Sequence, residues 1–229
     1  MATNATATDG RRKAAAARRR ERQAQIIAAT RQIFDSKGVR NVQIEEIASA
    51  VGINRAIVYR HFTGKEELFA LTLVGYLEEL HDAMALAAES SPEPRVRLER
   101  IVGAFVDYGV AYPAFVDCAQ ALMVRPGEEL LDEIAEGPLF RLGRGITSCL
   151  TVLSDTLADG VAQGAFELSD DPALLANALY ASGLGALQLA RLGILVSEVA
   201  PGIPTVGEIS AAQVRSYLVR SALALVSAP

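Results

Sequence analysis

Six side chains suited to holding an anion or a base edge fall between Asn54 and Lys65: Asn54, Arg55, Tyr59, Arg60, His61 and Lys65. No Asp or Glu lies among them. The Arg55 guanidinium presents paired N–H donors that match guanine O6 and N7, or two oxygens of a phosphate. Tyr59, His61 and Lys65 can donate to phosphates. Lys65 also opens a helical pattern, where free backbone N–H groups favour an anion. This is the chemistry of holding a polyanion, not of making or breaking bonds. Gly64-Lys65 lacks the glycine spacing and the Ser/Thr of a phosphate-binding loop. Gly183-x-Gly185 sits inside a helical pattern with no strand before it. Cys118 and Cys149 belong to no CxxC pair, and with His61 and His81 they do not give a zinc-ligand spacing. They read as reduced packing residues of a cytoplasmic protein. Neither a cofactor, a metal nor an enzymatic activity is expected.

The elements that must position these residues are legible on either side. Residues 21–37 follow a helical pattern through Ile26, Ile27, Ile33 and Phe34, and Gly38 stops it. Ile44, Ile47, Ala48 and Val51 form the apolar face of a short second helix, closed by Gly52. Asn54 is a good N-cap for a third helix, Arg55 to Phe62. A long helix then starts at Lys65, with Glu66 and Glu67 in its first turn. Two short helices joined by a tight turn, with basic residues on and after the second, are the layout of a helix-turn-helix that reads the major groove. Upstream, residues 1–10 are small and polar and are expected to be disordered. Arg11, Arg12, Lys13, Arg18, Arg19, Arg20 and Arg22 follow as a basic arm for phosphates. Residues 1–65 carry 13 Lys+Arg against 5 Asp+Glu, and residues 66–229 carry 9 against 22. A basic head on an acidic body would present one face to DNA and keep the other away.

The run from Gln25 to Lys65 and beyond resembles the TetR family of transcriptional regulators. The resemblance is carried by Gln25 to Gly38, Ile47-Ala48, Val51-Gly52-Ile53-Asn54-Arg55, Val58-Tyr59-Arg60-His61-Phe62 and Lys65-Glu66-Glu67-Leu68-Phe69. It implies DNA contacts from Gln43, Asn54, Arg55, Ala56, Ile57, Tyr59, Arg60, His61 and Lys65. It also implies a homodimer on a palindromic double-stranded operator and a ligand pocket in the C-terminal bundle. Three positions depart from the family pattern. Gln43 stands where a capping Thr or Ser is common, leaving Asn41 as an alternative cap. Ala56 and Ile57 replace the usual Gly and Thr of the recognition helix, and Ile57 can meet a thymine methyl.

The rest of the chain reads as helical, giving an all-α protein of about nine helices. Its segments are a disordered arm (1–20), a helix-turn-helix domain (21–66) and a ligand-binding and dimerisation domain (67–229). No strand, internal repeat or membrane span is expected. A helix from Leu174 to Leu192 is apolar nearly all round, with small residues Ala178, Ser182, Gly185 and Ala186 along one stripe. It is expected to pack on its own bundle on one side and on a partner subunit on the other. The dimer is assigned to the helices near 172–192 and 211–226. Residues 200–207, rich in Pro and Gly, are expected as a loop before a capping box at Ser210-x-x-Gln213. Phe105, Tyr108, Tyr112, Phe115, Met123 and Phe140 are candidates to line a pocket for a small apolar or amphipathic effector. Asp107 and Asp117 are expected at the surface. The leading reading is a repressor released from its operator by a ligand. The alternative is a DNA-binding protein controlled by a partner, which a solid core would favour.

Overall fold

The computed structural model describes residues 3–40 and 42–227, with side chains from residue 12 onward. The elements in chain order are α1 (Thr3–Lys37), α2 (Ile44–Ala50), α3 (Arg55–Tyr59), α4 (Lys65–Glu89), α5 (Pro94–Ala111), α6 (Pro113–Met123), α7 (Gly127–Glu133), α8 (Glu136–Ala162), α9 (Pro172–Leu192), β1 (Ile194–Ala200), β2 (Ile203–Glu208) and α10 (Ala211–Leu225). They divide into two compact units. The first takes the chain through Thr72 and Arg125–Leu139; the second takes Leu73–Val124 and the chain from Phe140 on. Two of its boundaries fall inside α4 and α8, and the third, Val124/Arg125, lies in the link between α6 and α7.

The first unit is built on small apolar faces that no single short helix could bury alone. Ile26 and Phe34 of α1, Ile44, Ile47 and Ala48 of α2, Val58 of α3, and Phe62 and Leu68 beyond it are all buried. Phe34 meets Phe69 edge-on at 4.7 Å, a favoured aromatic geometry. In the second unit α5 packs against α9 and α10, and α6 against α9. Tyr76, Leu77, Leu80, Leu98, Ile101 and Phe115 are among its most buried side chains. Asp171 caps α9 by accepting from the N–H groups of Ala173 and Leu174. The capping box at Ser210 and Gln213 is present at the start of α10.

The structure corrects the sequence reading in three places. The basic run expected within a disordered arm at 1–20 is helical, continuous with the rest of α1 from Thr3. Ala14 to Ala17 and the arginines around them are good helix formers, and this outweighs their mutual repulsion. The loop expected at 200–207 is part of an antiparallel hairpin, β1–β2, the two strands among the described residues. Ile194, Val196, Val199 and Val206 are β-branched, and Pro201-Gly202 supplies the turn, with Gly202 at φ 78°. The described residues also hold ten helices, because the chain re-enters a helix at Pro113 after breaking at Tyr112.

Helix α9 is long and apolar enough to cross a membrane by length and composition. One side of it is buried through Leu175, Ala176, Gly183, Leu184 and Leu187, as in a core helix. The other side is open: Leu174, Leu189 and Leu192 are exposed, as are Ala178, Ser182 and Gly185.

Candidate nucleic-acid interface

The turn between α2 and α3 is fixed by backbone bonds and one side chain. Ile53 N–H donates to Ala48 O at 2.9 Å. Gly52 sits at φ 69°, a conformation costly for residues with a Cβ. Asn54 has extended backbone, and its Oδ1 accepts from Ile57 N–H at 3.0 Å. That bond satisfies one of the orphan N–H groups at the start of α3. Gln43 occupies the N-cap position of α2 but makes no side-chain cap. The alternative cap, Asn41, lies outside the described residues.

Val58 is the buried anchor of α3, so the opposite face is left open. Arg55, Ala56, Tyr59 and Arg60 are all exposed there. Arg55 is held in place: Nη1 lies 2.6 Å from Glu45 Oε1 of α2, and its guanidinium carbon lies 5.2 Å from the Tyr59 ring centroid. Its contact with Tyr59, then the charge of Glu45, raise the guanidinium above its already high ordinary value. Arg55 is therefore cationic at any accessible pH. Glu45 is a residue that the sequence reading missed. A carboxylate in the first turn of α2 reads as a helix-dipole residue, and only the fold brings it to Arg55.

Ile57, Arg60 and His61 lie on a second side of the motif. With Arg18, Arg19, Glu21, Arg22 and Gln25 of α1 they line a cleft of about 410 Å³. Four arginines and one glutamate make it strongly positive. His61 Nδ1 is buried and has no hydrogen-bond partner among the described residues. Burial, then the charges of Arg19, Arg60 and Arg22, hold its imidazole below the ordinary value. The ring is neutral at pH 7 and would gain from an anion close by. Lys65 begins α4, with Nζ 5.0 Å from the Phe69 ring centroid.

A polar cluster surrounds the start of α4, with Glu67 its buried member. The Thr63 hydroxyl lies 2.6 Å from Glu67 Oε2, and Glu67 Oε2 also accepts from Ala135 N–H at 3.4 Å. Arg125 pairs with Glu133 at 2.7 Å and approaches Glu129 at 3.5 Å and Glu66 at 3.8 Å. These bonds tie α7 to the start of α4. No group of three or more His, Cys, Asp or Glu among the described residues could hold a metal ion.

The family profile described as "Bacterial regulatory proteins, tetR family" matches residues 26–72, which span α2, the turn and α3. Residues 26–72 thus match the N-terminal domain of the TetR family. The HTH-type transcriptional activator FasR of Mycolicibacterium smegmatis is 30% identical over 90 residues, 39% of this chain and 41% of that protein. The HTH-type transcriptional repressor KstR2 of Rhodococcus jostii is 27% identical over 145 residues, 63% of this chain and 67% of that protein. The chain thus matches about two fifths of the length of the first of these. A transcriptional regulator FadR from Bacillus subtilis, solved in complex with stearoyl-CoA, superposes with a TM-score of 0.63 at 12% identity. The match covers 89% of this chain and 98% of that one. At that identity the likeness is one of fold, and it takes in the C-terminal helices. These relatives are regulators of transcription, not enzymes.

The six residues expected around an effector divide. Phe105, Tyr108, Tyr112 and Phe115 come together: Phe105–Phe115 centroids are 6.3 Å apart, Tyr108–Phe115 5.6 Å and Tyr108–Tyr112 4.8 Å. Phe105, Tyr108 and Phe115 are buried between helices, while Tyr112 is exposed at the break between α5 and α6. Tyr108 donates to Glu79 at 3.0 Å. Met123 and Phe140 stand apart and exposed, 56% and 69%. Phe140 sits on an open groove with Arg144, Thr147 and Thr151. A small, mostly apolar pocket of about 20 Å³ lies among Met84, Ile101, Phe105, Leu153, Tyr180 and Gly183, with Phe105 the member of the six on its wall. Asp107 is exposed as expected. Asp117 is not: its side chain is 9% exposed and bonded to Arg191. The ion pair covers it, and sequence spacing gives no hint of a partner so far along the chain.

Proposed function

We propose that the chain is a homodimeric transcription regulator that places α3 in the major groove of a palindromic operator. The carrying observation is the open face of α3, with Arg55 and Tyr59 outward and the basic cleft of Arg18, Arg19, Arg22 and Arg60 beside it. Arg55 reads a base edge, most simply guanine. The cleft, Lys65 and His61 hold phosphates. The dimer forms through α9 and α10, whose open apolar faces on the monomer support a second subunit there. Two recognition helices then meet half-sites about one helical turn apart, or a multiple.

The effector on this reading is small and apolar or amphipathic, and it enters beside Phe105, Tyr180 and Gly183. The stearoyl-CoA bound by the similarly folded FadR supports that class. Ligand binding favours a dimer geometry that no longer fits the operator, which makes the protein a repressor. The shift can be no larger than the ligand's preference for that geometry. A second reading, control by a partner without a small molecule, draws on the cavity itself. About 20 Å³ is near the space of a single water, so an effector must displace side chains to enter.

Selection of bound DNA from a random pool tests the first part. An inverted repeat with a defined half-site is expected; recovery of unrelated sequences would refute operator reading. Repeating the binding with a long-chain acyl-CoA and with the matching free fatty acid tests the second part. Release of the operator by either supports the effector class, and release by neither favours partner control.

A further inference from the structure

The small pocket between α4, α5, α8, α9 and α10 is walled almost wholly by hydrocarbon. Nine residues line it, all in the second unit and none of them charged. Tyr180 of α9 is the one among them whose side chain carries an N–H or O–H donor. Its ring meets Phe105 edge-on, with centroids 5.8 Å apart. Phe105 in turn comes so close to Gly183 that a Cβ there would lie 2.6 Å from its ring. The Tyr180 ring is therefore held by packing on α5, about one turn along α9 from the bare backbone of Gly183.

The Tyr180 hydroxyl is idle. Among the described residues it forms no hydrogen bond. Cys149 of α8 is near enough to act on it electrostatically, but that thiol donates to Leu77 O at 3.4 Å. Burial, then Cys149, push the phenol well above its ordinary value, so it keeps its hydrogen to give. A tyrosine hydroxyl taken out of water ordinarily finds a partner. Tyr108 does so by donating to Glu79 at 3.0 Å, and Tyr217, 60% exposed, has water. Tyr180 is half-buried, and its hydroxyl lacks the first and is largely cut off from the second. An idle donor on an apolar wall suits recognition. Such pockets orient a ligand with a few placed polar groups, and a site that donates a hydrogen bond rejects an analogue unable to accept it. The acceptor must also be neutral. No cation lines the pocket to pair with a carboxylate, and an unpaired charge is costly to bury. A ketone, ester or thioester oxygen meets both demands.

We propose that Tyr180 is the specificity-determining donor of this pocket and selects apolar ligands that carry one neutral acceptor oxygen. This rests on the effector reading above and narrows its ligand class. The test uses three ligands of matched shape: acetophenone; α-methylstyrene, with a CH2 in place of the carbonyl oxygen; and benzoate, with an anionic oxygen in place of the methyl. Each is titrated by calorimetry into the full chain, wild type and Tyr180→Phe. The wild type should bind acetophenone and not benzoate. Tyr180→Phe should weaken acetophenone about 2- to 13-fold, the range of one ordinary hydrogen bond, and leave α-methylstyrene unchanged. The carbonyl stretch of bound acetophenone should rise in the variant, a change that a loss of packing would not produce. Equal weakening of both neutral ligands, benzoate binding as tight as acetophenone, or no wild-type binding of acetophenone at millimolar concentration would overturn the proposal. Thermal unfolding without ligand checks the idle hydroxyl itself. Tyr180→Phe removes an unpaired group, so it should melt no lower than the wild type; a lower Tm would give the hydroxyl a partner within the protein and overturn the proposal. Operator binding separates this proposal from the effector reading. Acetophenone bound through Tyr180 without release of the operator would keep the donor and refute the effector role of the pocket. Release by acyl-CoA that Tyr180→Phe leaves unchanged would keep an effector and overturn the donor.

Discussion

Replacing Glu45 with Gln should tighten DNA binding. The Arg55 guanidinium lies 2.6 Å from Glu45 Oε1, and it must leave that carboxylate to reach a base. The two side chains are 59% and 57% exposed, so the pair is well solvated, and such pairs bias a side chain by a factor of about one to five. Glu45 also places a negative charge on a face that meets phosphates. Its removal should add a few-fold at 0.1 M salt, where the screening length is about 10 Å, and less at 0.5 M. Together the expected gain is about two- to tenfold at low salt. The assay is fluorescence anisotropy on the selected operator, at both salt concentrations, with Arg55→Ala and the double variant. On the Arg55→Ala background the salt-independent part of the gain should vanish, since no guanidinium remains to be released. Weaker binding by Glu45→Gln would refute the reasoning and make Glu45 a DNA contact itself. So would an undiminished gain at high salt in the double variant.

Other changes test the cleft and the core. Arg18→Ala/Arg19→Ala should lower the slope of log K against log salt by up to about 1.8, if both arginines neutralise phosphates; an unchanged slope means that they face solvent in the complex. His61 has a folded pKa below its ordinary value of about 6.5. Its neutral form therefore stabilises the free protein above that pH, and this contribution is lost as pH falls through the lower folded value. Thermal scans from pH 7.5 to 5 should show a decline that His61→Gln reduces, whereas operator binding by the wild type should strengthen over the same range, because phosphate favours the imidazolium. Gly183→Ala would put a Cβ 2.6 Å from Phe105 Cε1. Overpacking of this kind costs about 1–3 kcal/mol, and the helix-propensity gain offsets up to about 1. A fall in Tm and a loss of ligand response with operator binding retained are expected; an unchanged response would move the effector site elsewhere.

The helix-turn-helix was legible because its signals are local. Gly52, Asn54 and the spacing of Ile44, Ile47, Val58 and Phe62 each act within a few residues; the turn, the cap and the burial follow, but α3 ends at Tyr59 and not at the expected Phe62, which is buried beyond it. What escaped notice depends on distance along the chain. Glu45 meets Arg55 only across the turn, and Arg191 covers Asp117 across the bundle. The basic run of α1 reads as a mobile tail by its charge, though its alanines and arginines favour a helix. The hairpin was hidden by Pro201, Gly202 and Pro204, which mark turns as readily as they mark loops. The aromatic stripe from Phe105 to Phe115 was visible as a stripe. Periodicity alone could not separate a filled core from the wall of a cavity, nor show that Met123 and Phe140 stand outside it.

The central claim is that α3 reads bases through Arg55. The most direct measurement is the affinity of the wild type and of Arg55→Ala for a panel of operators carrying each single-base change. The wild type should discriminate by about 5- to 150-fold at one position per half-site. Arg55→Ala should lose that discrimination there and keep it at every other position. A uniform loss across the panel would make Arg55 a phosphate contact, and a profile identical to the wild type's would take α3 out of the reading role.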